Sequence, residues 1–120
     1  RVAAAFALTH ALIAAAQGTD ADILAAKAAF DKGDRARLDA IVPRTKGHVL
    51  EPYVDYWRLK LGIDTAEPEA VRAFVARNAS TPLGERAQAD WLKALGKKGD
   101  WGRFSAAYGR GGHEDVEIQC

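Results

Sequence analysis

The apolar positions of this chain recur at helical intervals, most densely between Gly47 and Leu61. There Leu50, Tyr53, Val54, Trp57 and Leu61 follow the i, i+3, i+4, i+7, i+11 rhythm of one helix face, and Pro52 suits the first turn. Tyr56 and Leu59 fall on nearly the opposite side, and only Glu51, Asp55 and Arg58 form a consistently charged strip. The pattern predicts a helix buried on two sides, with Tyr53 and Trp57 well covered. A helix of that kind sits between neighbours, as in a stack of helical hairpins.

The same reading places helices before and after it. Thr19 or Asp20 caps a helix with Ile23, Ala26 and Phe30 inward that stops at Gly33. Asp34 then caps a shorter one carrying Leu38, Ile41 and Val42, halted by Pro43. Gly62 ends the central helix, and Pro68 opens another with Val71, Phe74 and Val75 as its stripe and Asn78 near its end. Thr81 caps a helix starting at Pro82, with Leu83, Ala87, Trp91, Ala94 and Leu95 inward. Lys98-Gly99-Asp100 echoes Lys32-Gly33-Asp34, and Asp100 caps a short helix bearing Trp101, Phe104 and Tyr108. Gly109 to Gly112 reads as a joint before a further helical start at Glu114. The fold class expected is all-α, an α-superhelix of antiparallel helical hairpins, a tetratricopeptide-like solenoid segment spanning 19–120.

Residues 1–18 have a basic start, an apolar run from Val2 to Ala16 and an A-x-A pattern at Ala14 to Ala16. They read as a secretory signal peptide, or else as an Ala-rich first helix. The run is shorter than the ~20 residues a bilayer span needs, which argues against a membrane anchor. Arg at the first position and Cys120 just after a helical start read as the ends of a segment of something longer.

Composition changes this picture little. The 120 residues suffice for one domain, and 17 basic against 16 acidic side chains give a net charge of +1 with the signs interleaved. The densest basic patch, Arg35, Arg37, Arg44 and Lys46, is mixed with Asp31, Asp34 and Asp39 and has no aromatic stacking pattern, which argues against nucleic-acid binding.

Candidate chemistry is sparse. Glu51 and Asp55, four apart on one helix face, form the only carboxylate pair worth weighing as acid and base, but the strip reads as a solvated charged face with Arg58 within reach of Asp55. His113-Glu114-Asp115 lacks further metal ligands, and His10 and His48 have no Cys or carboxylate at ligand spacing. Ser80, Ser105 and Thr45 lie in no nucleophile motif, and no phosphate-binding loop is present. The residues thus predict no catalytic group, metal or cofactor. Tyr53, Tyr56, Trp57, Phe74, Trp91 and Trp101 read as structural core residues, with a sugar- or peptide-stacking surface on the first three as the alternative. Cys120 is the sole cysteine, so no disulfide can close within these residues.

Taken in order, the signal-like start, DILAAKAAFDKGD, LEPYVDYWRL, VRAFVARN, GDWGRFSAAY and EIQC resemble the N-terminal region of the proteobacterial soluble lytic murein transglycosylases. The strongest piece is Leu50 to Leu59, similar to the family's Leu-x-Pro-Tyr-[Leu/Val]-[Glu/Asp]-Tyr core. Phe74-Val75 with Arg77-Asn78 is like its F-V-x-x-N-P, although Ala79 stands where the Pro is usual. Asp100-Trp101 resembles its D-W turn, and Gln119-Cys120 its A-Q-C. The resemblance implies a periplasmic parent enzyme that cleaves the MurNAc–GlcNAc β-1,4 bond of peptidoglycan and leaves a 1,6-anhydro end. In that family a lysozyme-like C-terminal domain supplies the catalytic Glu, so none of Glu51, Glu67, Glu69, Glu85, Glu114 or Glu117 inherits that role. The partners implied are a glycan strand engaged through the parent protein, and cell-wall proteins. The resemblance also implies that Cys120 pairs with a second Cys one hairpin further on. A free-standing tetratricopeptide-like interaction adaptor is the alternative function.

Overall fold

The computed structural model describes residues 17–110, and among these every regular element is a helix. Six α-helices run in the order α1 (Asp20–Asp31), α2 (Arg35–Ile41), α3 (Glu51–Leu61), α4 (Pro68–Arg77), α5 (Pro82–Lys98) and α6 (Trp101–Tyr108). Short 3-10 turns at Val42–Thr45 and Ile63–Thr65 follow α2 and α3. The expected leader helix over Val2 to Ala16 and the helical start at Glu114, with His113 and Cys120, lie outside the described residues.

The helix boundaries have local causes. Thr19 and Asp22 form a reciprocal capping box at the start of α1, Thr81 accepts from the Leu83 amide at the start of α5, and Pro occupies the first turn of α3, α4 and α5. Helix α2 ends at Ile41, just ahead of Pro43 as expected. The chain tightens into the 3-10 turn, where a proline at the first positions removes no needed donor.

The Lys-Gly-Asp echo is an echo of geometry. Gly33 and Gly99 adopt left-handed φ values of 68° and 73°. The following Asp34 and Asp100 amides reach back to the carbonyls of Ala29 and Leu95, at 2.9 and 3.0 Å. Each Asp side chain then turns forward to cap the next helix, through the amides of Arg37 and Arg103. One tripeptide closes one helix and opens the next, twice. A Cβ at either glycine forces a left-handed L-residue, so Gly33→Ala and Gly99→Ala are each expected to cost about 1–2 kcal/mol in urea unfolding. Unchanged midpoints would show that the turns tolerate another conformation.

Three apolar clusters make the core, and α3 joins them. Ile23, Ala26, Ala29, Leu38, Ile41, Val42 and Val54 close the first, with Phe30, Trp57 and Leu61 packed against it. Val71, Trp91, Leu92, Leu95 and Ala107 form the second, and Tyr56, Phe74, Leu83 and Ala87 the third, with Leu59 packed against both. Helix α1 packs on α2 and α3, α3 on α5, and α5 on α4 and α6. The two-sided burial expected of α3 is therefore present: Val54 and Leu61 meet the first cluster, Tyr56 and Leu59 the other two.

Two expected core positions are wrong. Tyr53 is 44% exposed and Trp101 61% exposed. Tyr53 shares with Lys60, seven residues on, the strip of α3 that lies between the Val54 and Tyr56 sides, and neither neighbour covers it. Trp101 is the first residue of an eight-residue helix whose buried contact with α5 is made by Ala107, and its ring stands edge-on to Phe104 at 5.5 Å instead of entering the core. Phe74, Tyr56 and Trp91 are buried as expected, and Trp57 is partly so.

Buried polar groups that periodicity passes over complete the packing. Gln88 on α5 donates to the Ala107 carbonyl at 2.8 Å, tying α6 down. Asn78 closes α4 by donating to Phe74, while its own carbonyl accepts from the Thr81 amide and hydroxyl. The amide-to-carbonyl match makes these side chains cheap to bury, whereas truncating one strands its partner.

Candidate binding clefts

Helix α3 is a wall of two clefts. The first, about 730 Å³, lies among Phe30 of α1, Tyr56, Trp57 and Lys60 of α3, and Arg86 and Asp90 of α5. At its base the Tyr56 hydroxyl donates to the Asp90 carboxylate, and Lys60 reaches the same carboxylate at 3.7 Å while lying over the Tyr56 ring. Burial, then the Asp90 hydrogen bond and charge, push the phenol well above its usual range, so it stays a donor at any physiological pH. Tyr56→Phe is expected to cost about 1–2 kcal/mol, since it leaves Asp90 with only the longer Lys60 contact. Equal stabilities by denaturant titration would mean that water replaces the hydroxyl without loss.

The aromatic trio does not form one platform. Tyr53 faces solvent, Tyr56 turns toward Phe74, and Trp57 stacks on Phe30 with centroids 5.8 Å apart. A sugar-stacking surface needs an open ring face, and Phe30 already covers a face of Trp57.

The second cleft, about 880 Å³, lies between α3 and α4 and includes Arg35, Lys46, Glu51, Asp55, Arg58 and Arg77 along its edges. Here the expected solvated strip is corrected. Arg58 bonds Asp39 of α2 at 2.9 Å and makes no hydrogen bond to Asp55, though its charge still acts there. Glu51 turns back on the preceding loop, accepting from the Gly47 amide at 3.0 Å and pairing with Lys46 at 3.2 Å. The two carboxylates consequently diverge. The Gly47 amide, then Lys46, hold Glu51 below its ordinary range, while partial burial, then the charge of Glu51, push Asp55 up. Asp55 does not keep the ordinary acidity that its place on a charged helix face implied.

The signs of these shifts set opposite effects. Glu51, an acid with a lowered folded pKa, adds stability above its unfolded pKa and loses it as pH falls through the folded value. Asp55, with a raised folded pKa, opposes folding above that value, and the penalty is relieved as pH falls through it. Carboxyl NMR titration should place Asp55 above and Glu51 below their ordinary ranges, and Asp55→Asn should stabilise the fold at neutral pH but not in acid. An Asp55 midpoint at the ordinary aspartate value would refute both.

His48 has a structural job. Its Nδ1 accepts from the Leu50 amide at 3.0 Å, so the proton sits on Nε2, which donates to Asp20 at 2.7 Å. With Arg44 bonded to Asp22 at 2.8 Å, this clasps the loop before α3 to the first turn of α1. The sequence held both partners, but residues 28 apart are joined only by the fold. Thr45, weighed as a nucleophile, is fully buried and donates to the Val42 carbonyl, and Ser80 and Ser105 lie exposed with no histidine partner among the described residues. No group of three potential metal ligands occurs among the described residues, and none of their helices is long and apolar enough to cross a membrane. Compared with family models, with curated proteins and with solved structures, the chain has no match in any of the three.

Proposed function

We propose that this chain is a non-catalytic, accessory segment of a periplasmic peptidoglycan-cleaving lytic transglycosylase, reached through a secretory leader. In this reading the six helices of the described residues belong to the beginning of an α-superhelix of antiparallel hairpins, which engages glycan strand near a catalytic domain. The observation that carries the proposal is the ordered set of family-like motifs together with where their residues fall. Pro52 opens α3, Asn78 closes α4, and Asp100 ends one hairpin turn and caps α6. Motif residues that build helix junctions suit a scaffold.

Catalysis of glycosidic cleavage needs a protonated carboxyl beside a second carboxylate or an oxocarbenium-stabilising group, in a cleft open to a sugar ring. Asp55 is raised, but Glu51 beside it is committed to Gly47 and Lys46. The test uses purified sacculi. The chain should co-sediment with them and release no anhydromuropeptides, while the parent releases them and a parent deleted for this segment engages glycan less well. Release by the chain alone would overturn the accessory reading. Failure to co-sediment, with a deleted parent that matches the intact one at every substrate concentration, would favour the free-standing adaptor.

A further inference from the structure

Helix α3 has a third face. The α1–α2 cluster covers its Val54 side and the α5 clusters its Tyr56 side, and between them the helical period places a strip of Tyr53, Trp57 and Lys60. Helices α1 and α5 pack on either side of that strip. They wall a groove whose central part is the cleft of about 730 Å³, with Phe30 on the α1 wall and Pro82 and Ala89 on the α5 wall. Tyr53, one turn before Trp57, extends the floor beyond the cleft. It is 44% exposed, and Trp57 and Phe30 are only partly buried, so the groove presents aromatic surface to solvent.

The rim is mostly cationic. Lys27, Lys60, Arg86 and Lys93 come from all three helices, against Glu85 and Asp90, both from α5. Asp90 already accepts from the Tyr56 hydroxyl and faces Lys60, and its side chain is only 13% exposed. Of the two lining carboxylates, only Glu85 stands open. Lys27 pairs with Asp31 one turn on, an exposed pair of small worth. Arg86, one turn before Asp90, has no ion pair among the described residues, and its charge reaches the Tyr56 hydroxyl at the base of the cleft.

We propose that the α1–α3–α5 groove binds an acidic amphipathic helix of a partner protein, its apolar face laid on Tyr53, Trp57 and Phe30 and its carboxylates toward Arg86, Lys60 and Lys27. Two helices resting on a third leave a groove shaped for a fourth, and an aromatic floor takes apolar residues at i, i+3 or i+4, and i+7 of that helix. The cationic excess of the lining sets the sign of the partner. An oligosaccharide fits less well, because Phe30 occupies a face of Trp57 and the Tyr56 hydroxyl is committed to Asp90. The inference does not depend on the cell-wall reading.

The test is an amide NMR titration of the chain with an acetylated, amidated peptide about four turns long, built of Leu along one face and of Glu and Ala along the other. Saturable shifts are expected at Phe30, Tyr53, Trp57 and Ala89, and the same peptide with Lys in place of Glu should bind about tenfold more weakly. Tyr53→Ala should weaken binding of the acidic peptide about tenfold, and Arg86→Gln about threefold with a flatter salt dependence. Trp101→Ala, which removes an exposed ring outside the groove, should leave binding unchanged. Tyr53 and Arg86 are both exposed, and an otherwise unchanged spectrum verifies the fold of each variant. If Tyr53→Ala perturbs α3, Tyr53→Gln gives the same readout. No saturable shift at about 1 mM peptide would overturn the proposal, as would equal binding of the acidic and basic peptides, or a loss on Trp101→Ala equal to that on Tyr53→Ala. Shifts at these residues with chitotetraose but not with the acidic peptide would also overturn it and would mean that the groove takes a glycan.

Discussion

Replacing Trp57 by Ala is expected to cost about 3–4 kcal/mol, toward the lower part of the range for large aromatic truncations because the ring is only partly buried. The effect is large for a positional reason. Trp57 packs against both the α1–α2 cluster and the cluster that Tyr56 and Phe74 share with α5, and its ring stacks on Phe30. Its removal loosens the seam that makes two groups of helices one unit. Urea unfolding followed by circular dichroism should show a lower midpoint and, if the halves uncouple, a shallower slope. A loss below about 1 kcal/mol would mean that the seam is held by Val54 and Leu59 alone.

Trp91→Ala should cost about 3–5 kcal/mol, and Trp101→Ala less than about 1 kcal/mol, although both tryptophans fall on the apolar stripe of a helix. Trp91 is 5% exposed and shares a cluster with Val71, Leu92, Leu95 and Ala107, from α4, α5 and α6. Removing it opens a cavity that three helices cannot jointly collapse. Trp101 is 61% exposed and loses only its edge contact with Phe104 and its lean over the Gly96 to Gly99 turn. The pair is measured in one set of denaturant titrations. Equal losses would show that Trp101 is covered in solution by something beyond residues 17–110.

Helix caps and breaks are short-range events, which is why the sequence by itself determined them. Thr19, Asp34, Thr81 and Asp100 each satisfy an amide two or three residues on, and Gly33 and Gly99 relieve a steric clash within a single residue. The same locality made α3's two-sided apolar pattern readable, since faces follow from the helical period alone. What the period does not carry is the width of the gap between neighbours. Tyr53 was assigned to the core with Val54, but only the Val54 side is covered by α1 and α2, and the strip shared by Tyr53 and Lys60 is left to solvent. The acidity of Asp55 was out of reach for a related reason. It depends on Arg58 bonding Asp39, on Glu51 turning to Gly47, and on a cleft between α3 and α4, which meet through Tyr56 and Phe74. Those are contacts between elements, set by how the helices lie against one another, and the interaction energies involved are decided only once burial and distance are fixed.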